Sequence, residues 1–226
     1  MEAVKSFFGR LGRGTKQMFK RFPFFFYILA HPFQGFYDLK VDERRKNVSG
    51  AVLIFVLLAF SSIFKRQLMG YLFTNRYEQL NLNFFLEITV AVAPYLLWVI
   101  ANWCFSSLMD GDGKVVDIFC ATAVGLIPLI VVNFLQVPLS NMLTLDAIRA
   151  FEVIGGAGYV ISYIYIFLGM MVTHQYTVKK SLITTIFSIL GIAVIAFIIL
   201  LIFYLIQQVT GFASNLITEI SYRLNE

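Results

Sequence analysis

Few residues in this 226-residue chain could do chemistry, and they stand far apart. The run Asp110-Gly111-Asp112-Gly113-Lys114 begins as a calcium loop would, with carboxylates at alternate positions. A calcium loop closes with a glutamate at its twelfth residue, and that position is Ala121, so the run predicts a tight hairpin turn. His31 and His174 are the two histidines, too few for a His-rich metal site. His31, before Pro32, reads as a packing or capping residue. Cys104 and Cys120 flank the same short loop and read as small buried apolar residues rather than a disulfide. The remaining polar residues in apolar surroundings are Glu87, Asn102, Asp117, Asn133, Gln136 and Glu152. Burying such groups in lipid is costly, so each needs a partner. The expected pairs are Glu87 with Arg76 or Lys65, and Glu152 with Arg149, while Asn102 and Asn133 suit hydrogen bonds between helices. There is no Gly-rich phosphate loop ending in Lys-Ser/Thr, no HExxH and no Gly-x-Ser-x-Gly elbow. The residues point away from an enzyme and call for no cofactor, metal or nucleic acid.

The elements that carry these groups are apolar segments at about 48–64, 84–108, 118–137, 150–172 and 182–209. A bilayer core about 30 Å thick takes about 20 helical residues. Lipid offers no hydrogen-bond partners, so the backbone must satisfy itself as α-helix. Composition agrees: 59% of residues are hydrophobic and 14% charged, with a mean hydropathy of +0.78. The fold class expected is an all-α integral membrane protein, a five-transmembrane-helix bundle preceded by interfacial amphipathic helices. Residues 1–47 form a cytoplasmic basic and aromatic arm, and 48–226 the transmembrane domain, leaving no room for a separate soluble catalytic domain. No secretory signal peptide is expected in the first 22 residues, which Gly9, Gly12 and Gly14 interrupt.

Charge sets an orientation. Thirteen of the eighteen Lys and Arg fall in the arm, the 108–118 loop and the 172–182 loop, and five on the other side. The positive-inside rule then predicts a plasma-membrane protein with its N-terminus in the cytoplasm and its C-terminus outside. Lys5, Arg10, Arg13, Lys16, Lys20 and Arg21 against Glu2 place the whole net charge of +5 within residues 1–22. Phe7 and Phe8 share an apolar stripe there with Val4, Leu11, Met18, Phe19 and Phe22. The arm reads as a helix lying on anionic headgroups. A second interfacial helix, with Phe33, Phe36, Tyr37 and Val41 on one face, is expected to lead into the first span.

Pro94 and Pro128 stand near the middle of the second and third spans and predict helix kinks. The fourth span carries Gly155, Gly158 and Ser162 on one face, with Tyr159 beside them. Small residues at this spacing let backbones approach, so the face is expected to pack on a helix of this chain or of a partner. The fourth span is therefore expected at the centre of the bundle or against another membrane protein.

Three features resemble the Yip family, five-span membrane proteins named for binding Ypt/Rab GTPases. They are His31-Pro32 with Phe36 and Leu39-Lys40 before the first span, the Asp110–Lys114 hairpin, and Val124-Gly125-Leu126-Ile127-Pro128 in the third. The resemblance covers about 25–209. It lacks a long soluble stretch before the first span and a clear acidic-proline signature, and so is to the compact prokaryotic members. For those it implies membrane organisation or association with a transporter. The function expected is a non-enzymatic scaffold or accessory subunit packed against another membrane protein, such as the permease subunits of a carbohydrate importer of the ATP-binding-cassette type. The alternatives are a small transporter or channel, and a membrane-trafficking factor of the Yip type.

Overall fold

A computed structural model describes residues 27–41, 48–73 and 83–224. Every regular element among them is helical: α1 (Pro32–Val41), α2 (Val48–Leu68), α3 (Phe84–Leu108), α4 (Val115–Gly125), α5 (Ile127–Met142), α6 (Ile148–His174) and α7 (Val178–Leu224), with a 3-10 turn at Leu145–Ala147. Five spans among the described residues are long and apolar enough to cross a membrane: α2, α3, α4 and α5 together, α6, and α7. The chain is thus an all-α, multi-pass membrane protein. The helices run past the apolar segments, since Lys65 and Arg66 remain helical in α2 and α7, the fifth span, has 47 residues. The hairpins joining α3 to α4 and α6 to α7 lie with α1 at the near end of the bundle, the end at which α2 starts.

The third span is broken. The Pro128 ring cannot accept the carbonyl of Val124, and proline has no N–H to give it. The helix therefore stops at Gly125 and restarts at Ile127, with Pro128 in its first turn. Leu126 bridges the break, its N–H shared between the Thr122 and Ala123 carbonyls at 3.2 Å. In α3, by contrast, the helix continues through Pro94. Asn83 caps the start of α3, its Oδ1 accepting from the Leu86 N–H at 3.2 Å.

The broken span, not the fourth, occupies the centre. Its most apolar window is 61% buried, against 33% for α6 and 6% for α7. The correction has a steric cause: Ala121, Ala123 and Gly125 give α4 a thin waist, and a Cβ on Gly125 would stand 2.7 Å from Ile166 Cγ1 of α6. The spans α2 and α6 flank the centre, α3 packs on α2 and α4, and α7 packs on α3. The second interfacial helix is also corrected. Phe36 and Leu39 of α1 are buried in the bundle, Phe36 lying over Gly169 of α6, while Phe33, Tyr37 and Val41 are exposed. Tyr165 of α6 fixes the preceding turn by donating to the Leu29 carbonyl.

Candidate functional site

Three polar assemblies lie within the apolar bundle. The first is the seam between α5 and α6. The restart of a helix leaves its early N–H groups without intrahelical acceptors. Leu129 N–H is one of these, and Ser162 Oγ accepts it at 2.9 Å from the neighbouring helix. The seam continues outward with small residues. A Cβ on Gly158 would meet Val132 Cβ at 2.8 Å, and one on Gly155 would meet Gln136 Nε2 at 2.5 Å. Gln136 Nε2 donates to the Phe151 carbonyl at 3.2 Å, and Asn133 Nδ2 to Ser61 Oγ of α2 at 3.3 Å. Ser140 Oγ, at the far end, accepts from the Gly70 N–H at 2.9 Å.

The second assembly closes the near end. The α6 helix terminates on Gln175, whose left-handed backbone (φ 56°) turns the chain and lets the Tyr176 N–H reach the Met171 carbonyl. His174 and Tyr176 are thereby presented together, their rings stacked at 5.1 Å. His174 Nδ1 accepts from the Gly113 N–H at 3.3 Å. Its other ring nitrogen, Nε2, then carries the proton and donates to Asn102 Oδ1 at 3.0 Å. Asn102 Nδ2 donates onward to Ser188 Oγ of α7 at 3.3 Å. One chain of bonds thus ties the first hairpin, α6, α3 and α7. The Tyr176 hydroxyl donates to the Ser106 and Met109 carbonyls, and the Lys180 ammonium lies over its ring at 4.6 Å. Burial, with Asp110 and Asp112 nearby, pushes the Tyr176 pKa up and keeps this donor protonated. The hairpin is moulded to these rings: a Cβ on Gly111 would lie 2.5 Å from the Tyr176 hydroxyl, and one on Gly113 2.6 Å from His174 Cε1. Asp117 is spent here too, accepting from the Lys114 N–H at 3.2 Å as α4 begins.

The third assembly is a cleft opening at the far end. Arg66 Nη1 donates to Glu87 Oε2 at 2.5 Å. Ser62, Lys65, Asn133 and Tyr159 complete the walls of a cavity of about 210 Å³. A second cavity of about 210 Å³ shares Ser62, Glu87 and Tyr159 with it and continues to Pro94, Tyr95 and Tyr163. A third, of about 370 Å³, shares Pro94, Tyr95 and Tyr163 and runs between α3, α6 and α7.

The sequence-derived candidates separate accordingly. Gly155, Gly158 and Ser162 come together on α5, so that face is spent inside the chain. Tyr159 does not join them; it is 43% exposed and lines the far-end cleft. Pro128 stands at the break and Pro94 in the cleft wall. Glu87 pairs with Arg66 rather than Lys65, and Arg76 lies outside the described residues. Glu152 and Arg149 are both exposed. Cys104 and Cys120 are free thiols; Cys120 is buried as expected, but Cys104 is exposed on the outer face of α3, which corrects the expectation for it. His31 is exposed with its ring 5.4 Å from that of Tyr27. Lys5, Phe7, Phe8, Arg10, Arg13, Lys16, Lys20 and Arg21 lie outside the described residues. Sequence reasoning missed His174, Tyr176 and Ser188. The signal was present: a histidine and a tyrosine flank one turn, and the glycines of the other hairpin leave room for rings.

The family model described as the Yip1 domain matches residues 26–214. No curated protein and no solved structure matches the chain. The family match covers the first four spans, both near-end hairpins and α7 as far as residue 214, and the chain belongs to the Yip1-domain family.

Proposed function

We propose that this Yip1-domain protein is a non-enzymatic scaffold or accessory subunit that packs along another integral membrane protein through its fifth helix. One observation carries the reading. The helix α7 has 47 residues, a length of about 70 Å at 1.5 Å per residue, roughly twice a bilayer core. Only 6% of its apolar window is buried within this chain. It is held by α3 near its start: Ser188 bonds Asn102, Thr184 reaches Met109, and Phe187 stacks on Phe105. Beyond Val194 its residues are largely exposed, and Phe197, Leu200, Phe203 and Tyr204 each show more than 60% of their surface. A rigid apolar rod anchored at one end offers a long face to a partner helix. Ser61, Asn102, Asn133, Ser162, His174 and Ser188 support a structural role, because they are engaged in bonds between helices of the chain itself.

The expected setting is the plasma membrane with the near end in the cytoplasm, where Lys40, Lys114, Lys179 and Lys180 lie. The partner proposed first is a permease subunit of a carbohydrate importer of the ATP-binding-cassette type, as the family resemblance implies. The test is site-specific photo-crosslinking in native membranes, with the probe at Phe197, Phe203 or Ile199 and, as controls, at buried Ile118 and Leu126. A defined membrane-protein adduct from the α7 positions alone supports the proposal. Adducts only to lipid from all three would remove its basis.

A further inference from the structure

We infer that the far-end cleft is a binding site for one anionic glycerophospholipid, with its phosphate at Arg66 and Lys65 and one acyl chain in the slot between α3, α6 and α7. The argument begins with charge. Lys65, Arg66 and Glu87 meet at the mouth and leave one net positive charge. Arg66 spends Nη1 on Glu87, while its Nε is buried with no hydrogen-bond partner. A guanidinium presents a planar fork suited to a phosphate, and the Arg66 side chain is 38% exposed at the mouth. Lys65 adds a second cation on the adjacent residue and lines the same cavity. The mouth is therefore built for an anion that Glu87 alone does not satisfy.

The interior changes character within a few residues. Past Tyr159 and Tyr163 the walls become Pro94, Tyr95, Trp98, Ile166, Phe167 and Ile192. The apolar slot holds about 370 Å³, within the range of about 300–1,000 Å³ typical of ligand sites. It opens sideways past Ile189, which is 57% exposed, so a chain can enter from the bilayer. A free anion would use the mouth and leave the slot empty; a hydrocarbon would do the reverse. Only an amphiphile with an anionic head matches both. Trp98 itself lines the slot and offers its ring to a hydrocarbon chain.

Asn102, one turn beyond Trp98 on α3, bonds Ser188 of α7 and His174 of α6, so these polar groups beside the slot are satisfied within the chain.

The test uses the full chain in detergent micelles. Trp103→Phe leaves Trp98 as the only tryptophan of the two, and brominated-chain phosphatidylglycerol is the quencher. Saturable quenching is expected, weaker with brominated phosphatidylcholine, whose choline cation cancels the charge of its phosphate and is repelled by Lys65 and Arg66. Arg66→Gln should weaken binding by about tenfold or more. Glu87→Gln should tighten it, because the mouth then carries two uncompensated cations. Ile192→Trp read by native mass spectrometry should abolish retention of the lipid, whereas Ile199→Trp, on the exposed face of α7, should not. Glycerophosphate in millimolar excess should fail to compete. Linear, headgroup-independent quenching would mean that Trp98 sees only bulk detergent and lipid, and would overturn the inference. So would equal weakening by Arg66→Gln and Glu87→Gln, the mark of a merely structural ion pair. Competition by glycerophosphate would assign the mouth to a free anion instead. Retention of the lipid by a folded Ile192→Trp variant would also overturn it.

Discussion

Replacing His174 by phenylalanine isolates the polarity of the near-end junction from its packing. The substitution keeps an aromatic ring against Tyr176. It removes the acceptor for the Gly113 N–H and the donor to Asn102 Oδ1. Two effects differ in size. The hydrogen bonds themselves are modest, since bonds between helices in membrane proteins average about 0.6 kcal/mol each. Leaving their partners stranded is worse, at about 1–3 kcal/mol for each buried group without a replacement. His174 is 2% exposed and Asn102 1%, so solvent does not reach them, and the second effect decides. The expected loss is about 2–4 kcal/mol. Reversible unfolding in mixed micelles, followed by helical circular dichroism, measures it. Asn102→Ala and the double variant complete a cycle. Residues sharing one network show coupling of about 0.5–3 kcal/mol, and the double variant should lose less than the two singles added. His174→Gln, which retains a donor and an acceptor, should recover part of the loss. A His174→Phe protein within about 0.5 kcal/mol of wild type, with additive singles, would refute the bonded junction.

Other outcomes follow from the same geometry. Gly158→Leu drives a side chain into Val132, and overpacking of this kind should cost about 1–3 kcal/mol, while Ile164→Leu on the exposed face of α6 should be neutral in the same melt. Cysteine introduced at Ser6 should be shielded from an impermeant reagent in intact cells and one at Asn225 labelled; equal labelling of the two ends would contradict the odd number of spans. A peptide of residues 1–22 should gain helix on anionic vesicles and release at high salt, each charge contributing roughly 1 kcal/mol near the surface, and indifference to lipid charge would remove the electrostatic part of that reading.

What the sequence reveals depends on the range of the interaction. Span count and helix type follow from runs of apolar residues, because the bilayer imposes one length and one backbone solution on each segment separately. The break at Leu126 is local as well, since Pro128 acts on the carbonyl four residues before it. The centre of the bundle is not local. Gly155, Gly158 and Ser162 mark a close approach without saying which helix approaches. The answer lies in Leu129, whose freed N–H meets Ser162, and in Val132 and Gln136, whose side chains fill the space left at Gly158 and Gly155. Partner choice among polar residues is equally non-local. Glu87 and Arg66 are 21 positions apart on two helices. Composition alone could not prefer Arg66 over Lys65 for that pair.

The near-end junction shows why its residues escaped notice. His174 is separated by 61 positions from Gly113 and by 72 from Asn102. Each looks unremarkable in its own segment: a histidine after a span, a glycine in a turn, an amide in an apolar helix. They become one unit because Gln175 turns the chain in the left-handed region and the glycines admit the rings. That unit does more than hold a loop. Through Asn102 and Ser188 it fixes α7 to α3 beside the apolar slot, and through Gly113 it fixes the hairpin that starts the central span. A force on the exposed part of α7 therefore reaches the centre of the bundle through its packed face on α3 and through these bonds.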